Sequence, residues 1–223
     1  MTTTTARPGG HPTAPTRARR DWWIPASLLL LAAVPSASGV ARLVDLSGGR
    51  TEENARFFDL PLPILVHILG ATTYLVLGAF QLMPSLRRRR PRWHRWSGRV
   101  LVPAGVAGGL SGMWMAVWSD LPSYDNQALM WLRLLFGTVM VGGLVLGLRA
   151  IRRRDVRSHQ RWMARAYAVA QGAGTQVLVL GPVIAVAGQP SGNLKAVGMG
   201  AAWVINLAVA EWLVRRSEAG RRG

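Results

Sequence analysis

The feature that most constrains this chain is a series of six apolar segments, each long enough to cross a lipid bilayer. A transmembrane helix needs about 20 predominantly apolar residues to span a hydrocarbon core roughly 30 Å thick. The segments lie at about residues 22–44, 61–83, 98–119, 128–150, 162–184 and 196–214. They are apolar around the whole helix and lack the alternation of barrel strands. The pattern therefore predicts an all-α membrane protein with a single six-transmembrane-helix domain over residues 22–216.

The first segment allows two interpretations. An arginine pair at 19–20, followed by four leucines and a run of small residues at 36–38, resembles a twin-arginine or secretory signal. Apolar character continues beyond that run to Val44, which favours an uncleaved first helix. Residues 1–21 are rich in Thr, Pro and Gly and predict a disordered basic tail, and residues 217–223 form a C-terminal tail.

The basic residues are distributed unevenly among the connections, and their distribution predicts the orientation. They number 27 against 10 acidic residues, and all except Lys195 are arginine. Of these, 22 lie in the two tails and in the connections after the second and fourth segments. Because positive loops stay in the cytoplasm, we predict a bacterial plasma-membrane protein with both termini cytoplasmic. The net charge of +17 then indicates topology and attraction to anionic lipid at the cytoplasmic face, and we expect no nucleic-acid partner.

Composition and motifs exclude several kinds of chemistry. The chain contains no cysteine, which excludes disulfides, thiolate metal sites and cysteine nucleophiles. It also lacks a Ser-His-Asp set, a His-Glu-x-x-His motif and a pair of catalytic carboxylates. The sequence thus predicts no catalytic residues and no metal site, and it favours a protein that is not an enzyme.

Two of the arginine-rich connections resemble each other. Residues 92–99 and 157–165 both follow an arginine cluster, and both contain Arg-x-His followed by Arg-Trp-x-x-Arg. The second copy has one additional glutamine between the two parts. This likeness predicts an internal repeat.

The likeness extends backwards into the preceding apolar segments. His67 lies 27 residues before His94, and Arg133 lies 26 residues before His159. We interpret the pattern as a tandem duplication in which spans two and three, and spans four and five, form a four-helix core. The first and last helices are then peripheral. We expect His94 and His159, both at the cytoplasmic edge, to approach each other.

Three stretches of this repeat resemble a known family. They read Gly-Ala-Phe-Gln at 78–81, His-Arg-Trp-Ser-Gly-Arg at 94–99 and His-Gln-Arg-Trp-Met-Ala-Arg-Ala-Tyr-Ala at 159–168. The pattern resembles a widespread bacterial family of predicted multi-pass membrane proteins with a domain of unknown function, over about residues 61–180. The resemblance implies a multi-pass membrane protein and no established activity.

A weaker similarity is to cytochrome b561-type membrane proteins, which hold two b haems between histidines on helices two to five. His94 and His159 lie where that arrangement would place one bis-histidine pair. The other pair is broken, because Arg133 stands where a partner for His67 is needed and arginine is a poor iron ligand. The similarity therefore implies one haem b at most, with His94 and His159 as its axial ligands.

Other residues of the two motifs support either of two roles. In the haem interpretation, Arg99 and Arg165 pair with the propionates, and Trp96 and Trp162 flank the macrocycle. In the other interpretation the motifs anchor the helices, because tryptophan and arginine both favour the headgroup zone of a membrane.

His67 and Arg133 form the best pair of polar residues inside the predicted spans. Such residues are costly to bury and often mark functional sites. They could bind an anionic substrate or a quinone carbonyl near the outer surface, or gate protons. Alternatively, Arg133 reaches outward to Asp120 or Asp125, and His67 bonds a backbone carbonyl.

Three functional hypotheses follow from these residues. The first is an electron-transfer protein with one b haem at His94 and His159. The second is a small-molecule or ion carrier that uses His67 and Arg133. The third is a structural protein whose arginine motifs bind anionic lipid, and both a homodimer and a separate redox partner stay open as partners.

Overall fold

The computed structural model describes residues 21–52, 54–119 and 125–220, and within these ranges the chain is helical and contains no strand. Most of the predicted basic tail, residues 1–20, lies outside the described residues. The helices of the described chain are α1 (Trp23–Ser47), α2 (Ala55–Asp59), α3 (Pro61–Gln81), α4 (Pro84–Arg89), α5 (Pro91–Trp118), α6 (Gln127–Arg152), α7 (Val156–Ala170), α8 (Gly172–Ala187) and α9 (Gly192–Ala219).

Six helical segments of the described chain are long and apolar enough to cross a membrane. They are α1, α3, α5, α6, the consecutive pair α7 and α8, and α9. The predicted fold class, an all-α membrane protein with six spans, is confirmed. The orientation of the termini stays a prediction that depends on the distribution of arginine.

The helices begin at residues whose chemistry favours a helix start. Pro61, Pro84 and Pro91 occupy the first position of α3, α4 and α5, where a missing N–H costs nothing. Asn126 and Asp155 precede α6 and α7, and each side chain accepts a 3.0 Å hydrogen bond from a backbone N–H three residues later. The connections are therefore short and sharply bounded.

The helix contacts agree with a core built from two hairpins. Helix α3 packs along α5, α6 packs along α7, and α5 joins the two hairpins by packing against α6. Helix α1 lies against α3 and α8, and α9 lies against α6, α7 and α8. The apolar stretches of α1 and α9 are the least buried of the six, so both helices are peripheral.

Close backbone contact between α3 and α5 depends on glycine. A Cβ atom at Gly70 would lie 2.6 Å from the carbonyl oxygen of Ala104, and one at Gly108 would lie 3.0 Å from the backbone nitrogen of Ala71. Neither backbone can move aside easily. Small residues at such positions let membrane helices pack closely without a hydrophobic driving force.

The middle of the core is filled by side chains. The rings of Tyr74 and Tyr167 lie 5.6 Å apart, and Leu101 and Leu144 are almost completely buried in the same cluster. The Tyr167 hydroxyl donates a 2.7 Å hydrogen bond to the Leu75 carbonyl, which ties α7 to α3. Any large group bound within the core must therefore lie nearer one end of the bundle.

The fifth span differs in detail from the single segment predicted at 162–184. It begins earlier, at Val156, and divides at Gln171 into α7 and α8. The Gln171 amide donates to the Leu28 carbonyl at 3.0 Å and to the Tyr167 hydroxyl at 2.9 Å. Gly172 follows, and a Cβ atom there would lie 2.3 Å from the Trp203 ring. The division thus lies where α1 and α9 both approach the chain closely.

Candidate functional site

Direct contacts bring the arginine-rich segments to one end of the bundle. The Asp21 carboxylate accepts a 3.0 Å hydrogen bond from the Ser85 backbone N–H, which joins the start of α1 to α4. Arg161 at the start of α7 pairs with Glu218 near the end of α9. We call the region formed by residues 21, 84–99, 149–165 and 211–220 the arginine-rich end.

His94 and His159 occupy matching places at this end. Each lies in the first turn of its helix, where its backbone N–H donates to the carbonyl of Arg90 or Asp155, in both cases at 3.1 Å. The two imidazoles lie close enough for their charges to interact. The repeat in the sequence therefore corresponds to two histidines at matching positions of α5 and α7, within the range of electrostatic interaction.

The ring nitrogens of these histidines differ in their contacts. Nδ1 of His159 lies 2.9 Å from the Gly147 carbonyl oxygen. Because a carbonyl can only accept, this nitrogen carries the proton, and Nε2 of the neutral ring retains its lone pair. Nδ1 of His94 is buried and has no hydrogen-bond partner among the described residues. The pair therefore offers ring nitrogen atoms to which no other group in the described ranges is seen to bond.

The two arginines predicted for the same site have other surroundings. Arg99 is exposed, on the side of α5 opposite the buried residues Ser97 and Leu101. The Arg165 guanidinium lies 2.8 Å from the Glu211 carboxylate and 5.1 Å from the centre of the Trp162 ring. Arg165 is thus bonded to α9, and Arg99 lies on the exposed side of α5.

His67 and Arg133 each have a partner of their own. Nδ1 of His67 lies 2.9 Å from the Gly108 carbonyl oxygen on α5. The ring packs against Gly112, where a Cβ atom would lie 3.0 Å from the imidazole. Arg133 extends to Asp125, with 2.8 Å between nitrogen and oxygen. These contacts are those of the alternative interpretation, in which the histidine bonds a backbone carbonyl and the arginine reaches outward.

Asp125 lies at the opposite end, where it pairs with two cations. Besides Arg133, the Lys195 ammonium lies 2.5 Å from the Asp125 carboxylate, and only 2% of the aspartate side chain is exposed. Burial alone would raise the pKa of this carboxyl, but the hydrogen bonds and charges of Lys195 and Arg133 hold the pKa below its usual value. Beside them, Asn126 bonds Asn193 at 2.8 Å. We call residues 125–133 and 188–195 the arginine-poor end.

Comparison with known families decides what kind of protein carries this arrangement. A family model described as predicted membrane protein (DUF2306), a domain of unknown function, matches residues 64–214. The chain belongs to this family. The match extends from α3 into α9, so the DUF2306 domain includes both histidine motifs and excludes α1. No curated protein and no solved structure matches the chain.

A further polar cluster of the DUF2306 domain lies between α8 and α9. The Thr175 hydroxyl donates a 2.9 Å hydrogen bond to the Asn206 side-chain oxygen. Amide atoms of Gln171, Gln176 and Asn206 are buried and have no partner within the described chain. Polar bonds of this kind hold membrane helices together. Here the bond between Thr175 and Asn206 holds α9 against α8.

Sequence reasoning missed two contacts that define the ends of the DUF2306 domain. Lys195 follows its partner Asp125 by 70 residues, and Glu211 follows Arg165 by 46 residues. No spacing rule links residues so far apart. The only available signal was the scarcity of acidic residues, of which the chain has 10 for 27 basic ones.

Proposed function

We propose that this DUF2306 protein is a membrane electron-transfer protein that holds one b-type haem between His94 and His159. The observation that supports the proposal most directly is the state of the ring nitrogens. In the neutral form of His159, donation from Nδ1 to Gly147 leaves the lone pair at Nε2, and His94 has a buried Nδ1 without a partner among the described residues. A histidine whose other nitrogen donates to a backbone carbonyl is the usual form of a metal-ligating imidazole.

The position of the two histidines fits a single group at the arginine-rich end. Below them Ala79, Leu101 and Ala166 are almost completely buried in the core cluster. Tyr74 and Tyr167 occupy the next layer. Since this packing fills the centre, the proposal concerns one haem near the end of the bundle and none in its middle.

His94 and His159 are the two residues that would hold the haem iron in this proposal. No group of three or more His, Asp or Glu side chains that could hold a metal ion is found in the described part of the chain, and the proposed site uses two imidazoles alone. When bound, a b haem would supply one-electron exchange at its iron. The propionate role of Arg99 and Arg165 is not part of the proposal, because Arg165 already shares its charge with Glu211 and Arg99 is exposed elsewhere.

An absorption spectrum tests the proposal. The full chain is expressed with a haem precursor, purified in detergent and measured oxidised and reduced. We expect a Soret band with sharp α and β bands on reduction, and one haem per chain by pyridine haemochrome assay. His94→Ala and His159→Ala should each lose more than about 90% of the bound haem, because a bis-histidine site needs both ligands.

The matched control is His67→Gln, which alters a histidine of the same core whose partner is the Gly108 carbonyl. Glutamine can donate the same hydrogen bond, so this variant should keep its haem. Helix content and elution volume confirm that each variant folds. A colourless wild-type protein, or full haem content in both alanine variants, would contradict the proposal.

A further inference from the structure

The second of the two arginine motifs is neutralised by the last helix. Nε of Arg161 donates to Glu218 at 2.6 Å, and Arg165 donates to Glu211 at 2.8 Å. Both glutamates lie in the final three turns of α9. Trp162 is covered by the Arg165 guanidinium. This copy of the motif therefore has its positive charges matched within the protein.

The first copy of the motif has no corresponding glutamate partners among the described residues. Arg95, Trp96 and Arg99 correspond to Arg161, Trp162 and Arg165, and all three are exposed, with 66% of Trp96 accessible. Neither arginine forms an ion pair with any other described residue.

Helix topology explains the difference between the copies. Helix α9 packs against α6 and α7, whereas α1, the other peripheral helix, packs against α3 and α8 and leaves this side of α5 open.

The uncovered motif belongs to a longer stripe on one face of α5. Arg92, Arg95, Trp96 and Arg99 recur at three- and four-residue intervals and are all exposed, so they share that face. Towards the middle of the helix, Val100, Pro103 and Leu110 continue the face as exposed apolar residues. The stripe thus has a cationic part at the arginine-rich end and an apolar part beyond it. We call these seven residues the α5 stripe.

The chemistry of the α5 stripe matches one kind of ligand. Guanidinium groups bind phosphate oxygens through paired N–H donors, and tryptophan favours the level of the lipid headgroups. The neighbouring helix α4 ends in Arg87, Arg88 and Arg89, which add positive charge. The Asp21 carboxylate contacts α4 and accepts a hydrogen bond from the Ser85 backbone N–H. An anionic headgroup would therefore be attracted here, with an acyl chain along the apolar part.

We propose that the α5 stripe binds an anionic phospholipid through Arg95, Trp96 and Arg99, and that the equivalent surface of α7 does not. The difference between the two motifs comes from Glu211 and Glu218 of α9, which occupy the place of a lipid phosphate on the second copy. This lipid site uses none of the side chains that are proposed to hold the haem.

Native mass spectrometry of the full chain in a non-ionic detergent tests the site. Phosphatidylglycerol is titrated as the anionic lipid and phosphatidylcholine as the neutral one. We expect Arg95→Gln/Arg99→Gln to bind phosphatidylglycerol about 25-fold more weakly, on the order of fivefold per arginine near a charged lipid. The wild-type preference should shrink as salt rises, since ions screen exposed charges.

The matched control is Arg161→Gln/Arg165→Gln, which removes the same number of charges from the second copy. Its affinity for phosphatidylglycerol should stay within about twofold of the wild type, because these arginines pair with glutamates of α9 and are not available to the lipid. Conversely, Glu211→Gln/Glu218→Gln should uncover the second motif and add a second tightly bound phosphatidylglycerol. Inorganic phosphate should not displace the lipid, because it cannot occupy the apolar part of the stripe.

Several outcomes would overturn the proposal. One is equal affinity of the wild type for the two lipids, and another is equal loss in the two arginine variants. Displacement of the lipid by inorganic phosphate would reassign the site to a free anion. A chain dimer that depends on Arg95 and Arg99 but not on lipid would reassign the stripe to a second copy. Haem content should be unchanged in Arg95→Gln/Arg99→Gln, which separates this test from that of the proposed function.

Discussion

The two hairpins of the core carry the same motif but differ in what surrounds it. In both, a histidine closes the first turn of a helix and an Arg-Trp-x-x-Arg sequence follows. In the α6–α7 hairpin the arginines pair with glutamates of α9, whereas in the α3–α5 hairpin they are exposed. A repeated sequence thus produces the same local structure twice, and the neighbouring helices decide what each copy can bind.

The hairpins also differ in how closely their helices approach other backbones. Gly70 in α3 faces the backbone of α5, at Ala104 and Gly108. Gly137 occupies nearly the same place in α6, but it faces the flexible Met113 side chain, with a virtual Cβ atom 2.5 Å away. Backbone atoms cannot move aside, whereas a methionine side chain can adopt another rotamer.

The largest effect is expected for Gly70→Ala. The added methyl group would meet the Ala104 carbonyl, so we expect a loss of about 3 kcal/mol in the free energy of unfolding, as for overpacking against a rigid neighbour. Unfolding in SDS, followed by helix content, measures it. Gly137→Ala is the control and should change the value by less than about 1 kcal/mol, because helix propensity offsets the shift of Met113. Equal losses would show that the hairpins pack alike.

A second comparison concerns Asp59 and Asp125, which precede the first helix of each hairpin. Asp59 pairs with Arg50, and 65% of its side chain is exposed, whereas Asp125 is 2% exposed between Arg133 and Lys195. We expect Asp125→Asn to cost about 2 kcal/mol, since it leaves two partly buried cations without their carboxylate. Asp59→Asn should cost less than about 0.5 kcal/mol, as is usual for an exposed pair.

The pH dependence of the thermal midpoint sharpens this prediction. The folded protein holds the pKa of Asp125 below the ordinary value of 3.8. Its contribution to stability is therefore complete well above pH 3.8 and is lost as the pH falls through the lower folded pKa. Asp125→Asn should flatten the acid limb of the profile, and Asp59→Asn should leave that limb unchanged. An identical acid limb in all three proteins would contradict the assignment.

The smallest effect is expected for the hydroxyl that joins the two hairpins. Tyr167→Phe removes both the bond to the Leu75 carbonyl and the bond from the Gln171 amide, which should cost about 1.5 kcal/mol of unfolding free energy. Tyr74→Phe is the control, because no bond of the Tyr74 hydroxyl is seen within the described ranges. The two variants should therefore differ in their free energy of unfolding in SDS. Equal values would show that the Tyr167 hydroxyl does not stabilise the contact between the hairpins.

Much of the fold could be predicted, because long apolar runs and short connections are local properties. Each of the six predicted spans overlaps one of the apolar helical segments, with ends that differ by up to seven residues. Glu211 and Arg215 lie one turn apart on α9 and pair at 3.3 Å, a contact that helix periodicity explains. The division of the fifth span at Gln171 could not be predicted, since it depends on bonds to Leu28 of another helix. The expected approach of His94 and His159 depends on interpreting the repeat as two equivalent hairpins, and it stays a prediction.

The sequence by itself determined the class of the protein, its number of spans and the grouping of its arginines. These three properties depend on the free energy of placing apolar or charged residues in a membrane. That free energy is set by the residues of each segment itself. Only the tertiary structure decided which arginines are neutralised, because Glu211 and Glu218 reach α7 through the packing of α9. The same packing leaves the α5 stripe uncovered, and no property of residues 92–99 alone distinguishes them from residues 157–165 in this respect.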